Sequence, residues 1–383
     1  MLKTIRDIEV KDKRVLLRAD FNVSLGKNHR VDENENWRIK KTLPTIEYLL
    51  KEEAKLIIIS HLSEKESLKP IADYLIELIG KKVVFVNEII GPKVKEEVNK
   101  MKIGEILMLE NLRFYPEEEA NDENFAKELA GLADIFVNDA FSVSHREHAS
   151  IVGLPKFLPS FAGFLLEKEI EALENVLKNP KRPLTVIIGG AKISTKTKVV
   201  KKFLDFADHL LLGGALASTV FQAKGLATGK SLTEKEIVGE VQKLNLTNPK
   251  LHLPVDVLVS KDASGQAEIK INPVDRIEES EIILDIGPDT VRLFGALIKN
   301  AKTIIWNGPM GLAEVEAFSS GTRKIARAVI DSRAYSVVGG GDTISILREM
   351  GLAEKMSYLS TGGGAMLEFL AEGTLAGIKA LNK

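Results

Sequence analysis

The 383-residue sequence predicts an α/β protein with two doubly wound, Rossmann-like domains of mostly parallel sheets, joined by an interdomain helix and hinge. Short runs of Val, Ile and Leu alternate with longer helical patterns, which is typical of parallel strands covered by helices on both faces. The length favours two domains over a single core. The residues that end the apolar runs also differ between the two halves of the chain.

In the N-terminal half the apolar runs end in charged or amide side chains. The side chains that lie after predicted strands or in their connecting loops include Arg18, Arg38, His61, Arg113 and Arg146. Because the carboxyl ends of parallel strands share one edge of a sheet, we expect several of them to converge there. Arginine forks match phosphate and carboxylate oxygens, although any single arginine is more often a surface ion pair. The strand-end residues of the N-terminal half therefore predict a site for a small anion.

The loop of residues 138–148 contains His145, Arg146 and His148 and has almost no helical or strand pattern. Its histidines could act as general acids or could merely support the arginine.

A connector follows the N-terminal half. Leu166, Ile170, Leu173 and Leu177 recur at helical spacing, and two prolines within residues 179–183 end the pattern. An ordinary surface helix fits this pattern as well, but the change in strand-end residues favours a domain boundary. We therefore predict an N-terminal domain at 1–165, a helix and linker at 166–183, a C-terminal domain at 184–365, and a tail at 366–383. A last helix is predicted from about residue 365 to residue 381.

In the C-terminal half six apolar runs end in glycine, at residues 186–188, 210–212, 282–286, 304–307, 337–338 and 358–361. Glycine at a strand–helix turn lets backbone N–H groups approach a phosphate, and the helix N-terminus adds partial positive charge. One such turn can need glycine for its backbone conformation alone, but six together favour nucleotide or phosphate binding. The P-loop pattern and the dinucleotide fingerprint are both absent from the sequence, which disfavours hydride transfer.

Two of the glycine turns carry charged side chains. Asp342 beside a phosphate would need an intervening cation such as Mg²⁺, but it could equally be a helix N-cap. Lys192 and Lys196 are four residues apart, which predicts that both lie on one helical face near a polyphosphate. A solvated lysine pair is the alternative.

Composition narrows the function classes. The net charge of -1 gives no support to nucleic-acid or membrane binding, and the absence of cysteine excludes disulfides, thiolate catalysis and zinc–cysteine sites. The sequence contains no apolar stretch of membrane-spanning length, so we expect a cytoplasmic protein. A nucleotide on one domain, a small anion on the other and a metal between them together indicate phosphoryl transfer.

Eight segments resemble the phosphoglycerate kinase family, in order along nearly the whole chain: 18–23, 109–114, 138–141, 145–150, 189–192, 306–309, 340–343 and 360–365. The resemblance implies the reversible Mg-dependent reaction of glycolysis and gluconeogenesis, in which 1,3-bisphosphoglycerate and ADP give 3-phosphoglycerate and ATP. It implies direct in-line transfer after hinge closure, and a tail that packs back toward the N-terminal domain. We expect a monomer with small-molecule substrates only.

The same resemblance assigns site residues. It places the 3-phosphoglycerate site at Asp20, Phe21, Asn22, Arg38, His61, Arg113 and Arg146. It places the nucleotide site at Lys196, Gly213, Gly214, Glu314, Gly340, Gly341, Asp342 and Thr343, with Glu314 on the ribose and Asp342 on Mg²⁺. The catalytic residues that it implies are Arg38, Lys192 and Lys196.

The chain departs from the family pattern at three places. Ser63-Glu64-Lys65 stands where the family usually has Gly-Arg-Pro, so that an acidic residue replaces a basic substrate contact. Ser24 stands for a common proline, and Met366 for a usual serine. Two other functions therefore stay open, a kinase that forms an acyl phosphate on another small carboxylate, and a nucleotide-binding scaffold without catalysis.

Overall fold

The chain divides into two units, one of residues Met1–Glu171 with Thr374–Lys383 and one of residues Ala172–Gly373. The structure is a computed structural model and describes residues 2–26, 29–32, 36–63 and 66–382. None of the helices that it describes is long and apolar enough to cross a lipid bilayer.

The first unit is built on a six-stranded parallel sheet with the strand order β3-β4-β2-β1-β5-β6. Its strands are β1 (Arg14–Arg18), β2 (Lys55–Ile59), β3 (Val83–Val86), β4 (Ile106–Leu109), β5 (Ile135–Asn138) and β6 (Ser160–Ala162). Its first helices are α1 (Trp37–Lys51), α2 (Lys69–Ile79), α3 (Pro92–Lys100), α4 (Pro116–Glu119) and α5 (Glu123–Ala130). The central strands are continuous apolar runs because helices cover both faces of the sheet.

The register of this sheet positions the candidate anion site. Arg18, the last residue of β1, pairs with Ile59 of β2 and with Asn138 of β5. The three strands therefore end at the same level, and the residues that follow them share one edge of the sheet.

Helix α6 (Phe164–Lys178) begins at a buried carboxylate. Asp139 Oδ1 accepts hydrogen bonds from the backbone N–H groups of Leu165 at 2.8 Å and Leu166 at 3.1 Å, so it caps the helix from the end of β5. A Cβ atom at Gly163 would overlap this carboxylate. The helix predicted from the spacing of Leu166 and Leu173 is confirmed.

The second unit contains a six-stranded parallel sheet with the order β15-β14-β13-β7-β8-β9 and a three-stranded antiparallel sheet with the order β11-β10-β12. The strands are β7 (Leu184–Ile188), β8 (His209–Leu212), β9 (Leu251–His252), β10 (Asp256–Ser260), β11 (Lys270–Pro273), β12 (Ile282–Ile286), β13 (Thr303–Asn307), β14 (Tyr335–Gly339) and β15 (Tyr358–Leu359). The helices are α7 (Thr197–Phe206), α8 (Gly214–Ala223), α9 (Val238–Val241), α10 (Pro288–Asn300), α11 (Ser320–Ser332), α12 (Gly341–Glu349) and α13 (Gly363–Glu372). Two parallel sheets in two units confirm the predicted fold class.

One of the six glycine-ended apolar runs belongs to a different sheet from the others. The run at Ile282–Ile286 is β12 of the antiparallel sheet and not a strand of the parallel one. Its apolar composition did not distinguish the two kinds of strand, because both faces of β12 are also largely covered.

The C-terminal region contains two helices instead of the single predicted one. Helix α13 ends at Glu372, and the φ of 77° at its C-cap, Gly373, is left-handed and favours glycine. Helix α14 (Ala376–Leu381) follows, and its Gly377 N–H donates to the carbonyl oxygen of Ser144 at 2.7 Å in the first unit, to which both residues belong. The division between the units falls after Gly373, within the tail predicted at 366–383.

Candidate active site

Arg18 lies wholly inside the first unit at the end of β1. Its Nε donates to Ser150 Oγ at 2.9 Å, its Nη1 donates to the Ala19 carbonyl oxygen at 2.6 Å, and its Nη2 lies 3.2 Å from His61 Nδ1. Burial lowers the pKa of the Arg18 guanidinium to about 10, so that it stays charged at neutral pH. The guanidinium therefore binds protein groups at all three nitrogens.

His61 is buried beside several positive charges. Burial, followed by the charges of Arg18, Arg113 and Arg146, holds the pKa of the imidazole well below its usual value. His61 is therefore neutral at neutral pH, and any anion that it binds is met by an N–H donor and not by a positive charge.

Arg38 and Asn22 line a cavity of about 260 Å³, and Asp20 lies beside Arg38. Arg38 lies in the first turn of α1, where its Nη1 donates to the Asn22 carbonyl oxygen at 3.1 Å and lies 3.8 Å from Asp20 Oδ2. Asp20 also accepts a hydrogen bond from Ser142 Oγ at 2.5 Å. The Asp20 carboxylate is almost wholly buried, whereas the Arg38 side chain is 21% exposed and so accessible to a ligand.

The Phe21 side chain is fully buried in the hydrophobic core of this unit, and its N–H donates to Ser60 Oγ at 2.9 Å. Any contribution to a ligand would therefore come from its main chain. Ser24 and Ser63 line the cavity near Arg38. Glu64 and Lys65, at which the chain departs from the family pattern, lie outside the described residues.

Arg113 and Arg146 differ in exposure. Arg113 follows β4, is buried, and donates from Nη1 to the Glu119 carboxylate. Arg146 is exposed. Burial and the charges of these two arginines lower the pKa of His148 to about 4, and burial lowers the pKa of His145. Neutral histidines beside arginines favour a supporting role over a general-acid role at neutral pH.

One buried carboxylate of this site was not singled out from the sequence. Glu118 in α4 is 1% exposed and accepts from the backbone N–H of Ser150 at 2.9 Å and from Ser150 Oγ at 2.5 Å. Glu118 is one of three consecutive glutamates, and nothing in that run distinguishes the buried one from its exposed neighbours.

The second unit contains a cavity of about 390 Å³. Its lining is largely apolar and includes Phe221, Leu232, Val257, Ile283, Leu284 and Leu312. Three of the predicted nucleotide residues, Gly214, Glu314 and Asp342, also line it. Such a wall with a few polar groups at its edge suits a purine base with its sugar and phosphates at the rim.

The glycines at the edge of this cavity allow loops to pack closely. Gly214 has a φ of 64°, and a Cβ atom there would lie 2.6 Å from the Gly190 nitrogen. Gly213 packs against Met310, whose Sδ would be 2.6 Å from a Cβ atom. A side chain at either position would therefore push the loop at Gly190 or at Met310 away.

The two lysines of the glycine turn after β7 do not share a helical face, so this prediction was wrong. Helix α7 begins at Thr197, which leaves Lys192 in the preceding loop, where it is exposed. Lys196 is the N-cap of α7, is 9% exposed, and donates from Nζ to the Gly189 carbonyl oxygen. The reason is the turn at Gly190, with a φ of 93°, which keeps this segment out of a helix.

Asp342 is not the N-cap of α12. Gly340 takes that place with a φ of 103°, Gly341 begins the helix, and Asp342 lies exposed in its first turn. Thr343 is fully buried, and among the described residues its hydroxyl has no hydrogen-bond partner. The exposed Asp342 carboxylate therefore does not cap the helix.

Asp285 at the end of β12 also lines the cavity and was not predicted. Its Oδ2 accepts from the Gly321 N–H at 2.7 Å, and its Oδ1 accepts from the Ile286 N–H at 2.8 Å. Burial raises the pKa of the Asp285 carboxyl to about 7. A Cβ atom at Gly311 would overlap this carboxylate, so Asp285 joins the N-terminus of α11 to the loop after β13.

The described residues offer part of a ligand set for the Mg²⁺ that the family resemblance implies. Within residues 2–26, 29–32, 36–63 and 66–382, no three His, Asp or Glu side chains form a cluster that could hold a metal ion. Asp342, which lines the cavity of the second unit, is a carboxylate of the kind that binds Mg²⁺ together with substrate phosphates and water. The residues present therefore fit a metal that arrives with the nucleotide.

Known proteins resemble the chain over its whole length. The family model described as "Phosphoglycerate kinase" matches residues 5–373. The phosphoglycerate kinase of Thermomicrobium roseum is 46% identical over 99% of this chain and 99% of its own length, and that of Desulfosudis oleivorans is 45% identical over 100% and 99%.

Solved structures agree with these relatives. Phosphoglycerate kinase from Coxiella burnetii superposes with a TM-score of 0.85 at 38% identity, over 100% of this chain and 99% of that one. Phosphoglycerate kinase from Pyrococcus horikoshii superposes with a TM-score of 0.87 at 33% identity, over 100% of this chain and 98% of that one. By full-length sequence and by fold, this chain belongs to the phosphoglycerate kinase family.

Proposed function

We propose that the chain transfers a phosphoryl group between 1,3-bisphosphoglycerate and ADP, reversibly, with 3-phosphoglycerate bound by the first unit and the nucleotide by the second. The observation that carries this division is the contrast between the two sites. The first unit offers Arg38 beside Asp20 and neutral His61. The second offers an apolar cavity with Lys196 and Asp342 near its glycine-rich rim. One kind of site suits a small anion and the other a nucleotide.

In the first unit we assign 3-phosphoglycerate to the cavity at Arg38 and to the buried residues around His61. Arg38 would bind an oxygen of the substrate through the donors that do not contact Asn22. Asp20, fixed by Ser142, would hold the guanidinium in place. Arg113 and Arg146 add positive charge around His61, which supports the binding of a multiply charged anion.

In the second unit we assign the base to the apolar wall and the phosphates to the glycine turns. Glu314 at the cavity edge is placed to contact the ribose. Gly340, Gly341 and Thr343 would offer main-chain N–H donors at the start of α12. Lys196, already aimed into the turn at Gly189, would contact the transferring phosphoryl group, and exposed Lys192 would reach the outer phosphates.

We propose that Asp342 holds Mg²⁺ with the nucleotide phosphates. When bound, the ion would neutralise charge on those phosphates. Asp342 needs no rearrangement of its helix for this, because it is exposed and Gly340 already caps α12.

The acceptor carboxylate of 3-phosphoglycerate is ionised at neutral pH, so transfer needs no general base. Positioning and charge neutralisation by Arg38 and Lys196 would then supply most of the rate enhancement. The neutral histidines near Arg146 are consistent with a mechanism that has no histidine acid. The hinge closure that precedes transfer, a monomeric state and a cytoplasmic location stay predictions.

The test is a coupled assay with Mg-ATP and a panel of small carboxylates that includes 3-phosphoglycerate. We expect 3-phosphoglycerate to be the preferred acceptor. Preference for another carboxylate would support the rival acyl-phosphate-forming kinase, and nucleotide binding without turnover would support the non-catalytic scaffold. The charge change at Glu64 makes the panel informative, because it alters the family's substrate contact.

A further inference from the structure

A chain of buried polar contacts leads from Glu118 to His61 in the first unit. The Glu118 carboxylate accepts hydrogen bonds from both the backbone N–H and the hydroxyl of Ser150. Ser150 Oγ in turn accepts a hydrogen bond from Arg18 Nε at 2.9 Å. Arg18 Nη2 then lies 3.2 Å from His61 Nδ1. All four residues are at most 3% exposed, so water does not compete for these contacts.

The direction of each hydrogen bond follows from the chemistry of the groups. Arginine has five N–H donors and no acceptor, so the Arg18–His61 contact needs a lone pair on His61 Nδ1. A neutral imidazole with an unprotonated Nδ1 carries its proton on Nε2. The Arg18 guanidinium is therefore expected to fix one tautomer of His61.

Glu118 balances the charge that makes this possible. A buried guanidinium without a nearby carboxylate would be costly, and the Glu118 charge is the largest influence that opposes the effect of burial on the Arg18 pKa. Asp20 contributes a smaller effect of the same sign. Ser150 supplies the physical link, because its hydroxyl donates to Glu118 and accepts from Arg18.

We propose that Glu118 is a positioning residue which, through Ser150 and Arg18, holds His61 as a neutral imidazole with Nε2–H as its only ring donor. The sequence of contacts would orient that donor for an oxygen of the anionic substrate. The part that concerns substrate rests on the proposed 3-phosphoglycerate site. The tautomer itself does not, since it is a property of the protein without ligand.

The tautomer is measured by two-dimensional ¹⁵N–¹H NMR of the histidine rings in the ¹⁵N-labelled full chain, with His61→Gln used only to assign the His61 signals. We expect the pattern of an Nε2–H neutral ring for His61 near neutral pH. In Glu118→Gln and in Ser150→Ala we expect that pattern to change to averaged tautomers or a protonated ring. Exposed Glu117→Gln, the neighbouring position in α4, is the matched control and should leave the pattern unchanged.

Kinetics give the second readout. For Glu118→Gln we expect the KM for 3-phosphoglycerate to rise about tenfold, as for loss of one hydrogen bond to a charged ligand, with the KM for ATP unchanged. An Nδ1–H ring in the wild type, or an unaltered His61 pattern in both folded variants, would overturn the proposal. If the variants change the NMR pattern but the wild type does not phosphorylate 3-phosphoglycerate, the tautomer is upheld and the proposed function fails. If Glu118→Gln does not fold, Ser150→Ala and the wild-type spectrum decide the question.

Discussion

Lys196 donates from its ammonium group to the carbonyl oxygen of Gly189, seven residues earlier in the loop that follows β7. Burial lowers the pKa of this ammonium to about 8, an effect that Asp342 and Glu234 partly oppose. The group is thus charged at neutral pH and becomes neutral within a mildly alkaline range. A cation with a low pKa at the turn to which we assign the phosphates gives the proposed reaction a measurable pH dependence.

We predict that kcat/KM for ATP falls as the pH rises through about 8 in the free enzyme, because the phosphates lose the Lys196 charge. The stability effect has the opposite sign. The unfolded chain binds more protons than the folded one between about 8 and 10.5, so this residue makes stability rise with pH in that window. A pH series of steady-state rates and of thermal unfolding checks both signs.

Lys196→Arg should move the alkaline fall to higher pH, since the guanidinium stays charged. Lys201→Arg, on the exposed side of α7, is the control and should leave the profile in place. An identical profile in wild type and Lys196→Arg would exclude Lys196 as the titrating group.

Arg38→Ala should lower kcat for phosphorylation of 3-phosphoglycerate by about 10²–10³-fold, as for loss of one donor to a transition-state charge. The nucleotide dissociation constant, measured by calorimetry, should stay nearly unchanged because Arg38 belongs to the other unit. Exposed Lys40→Ala, in the same helix, should change neither quantity. Equal losses in turnover and nucleotide affinity would contradict the role given to Arg38.

Gly189→Ala should destabilise the second unit by about 1–3 kcal/mol, because its Cβ atom would overlap the Pro309 carbonyl oxygen. It should also raise the KM for ATP, since the loops after β7 and β13 would be pushed apart. Gly295→Ala in the middle of α10, where a Cβ atom meets nothing within 4 Å, should stabilise by about 0.5–1 kcal/mol. Denaturant unfolding compares the two variants, and similar effects from both would refute the packing argument.

Asp285→Asn should lower stability and raise the KM for ATP, because one amide oxygen cannot accept from both Gly321 and Ile286. The loss should depend on pH. The folded pKa of about 7 lies above the ordinary aspartate pKa of 3.8, so the wild-type carboxyl stabilises most at low pH and less as the pH rises through 7. The difference in unfolding midpoint between wild type and variant should therefore shrink from pH 4 to pH 7, and a difference that grows would be evidence against the buried protonated carboxyl.

The sequence patterns identified what depends on local order. Buried apolar runs predicted the parallel strands, and the spacing of Leu166 and Leu173 predicted α6, because each element's own periodicity reports its environment. The patterns missed what depends on distant partners. Asp285 and Glu118 are buried because Gly321 and Ser150 approach them from elsewhere in the chain, and nothing local marks either carboxylate.

The two lysines after β7 illustrate the same limit. Their spacing is helical, but the left-handed turn at Gly190 postpones the helix to Thr197 and sends Lys196 inward while Lys192 stays exposed. Spacing alone cannot report where a helix begins when a glycine precedes it. The same applies to the last predicted helix, which Gly373 divides in two.

The most direct measurement is turnover of 3-phosphoglycerate with ATP by the full chain, with and without Mg²⁺, in an assay coupled to consumption of 1,3-bisphosphoglycerate. The proposed division of sites predicts rapid, Mg-dependent formation of ADP and 1,3-bisphosphoglycerate, with Asp342→Asn needing more Mg²⁺ for the same rate. Folded protein that binds ATP but does not phosphorylate 3-phosphoglycerate, or that prefers another carboxylate, would contradict it.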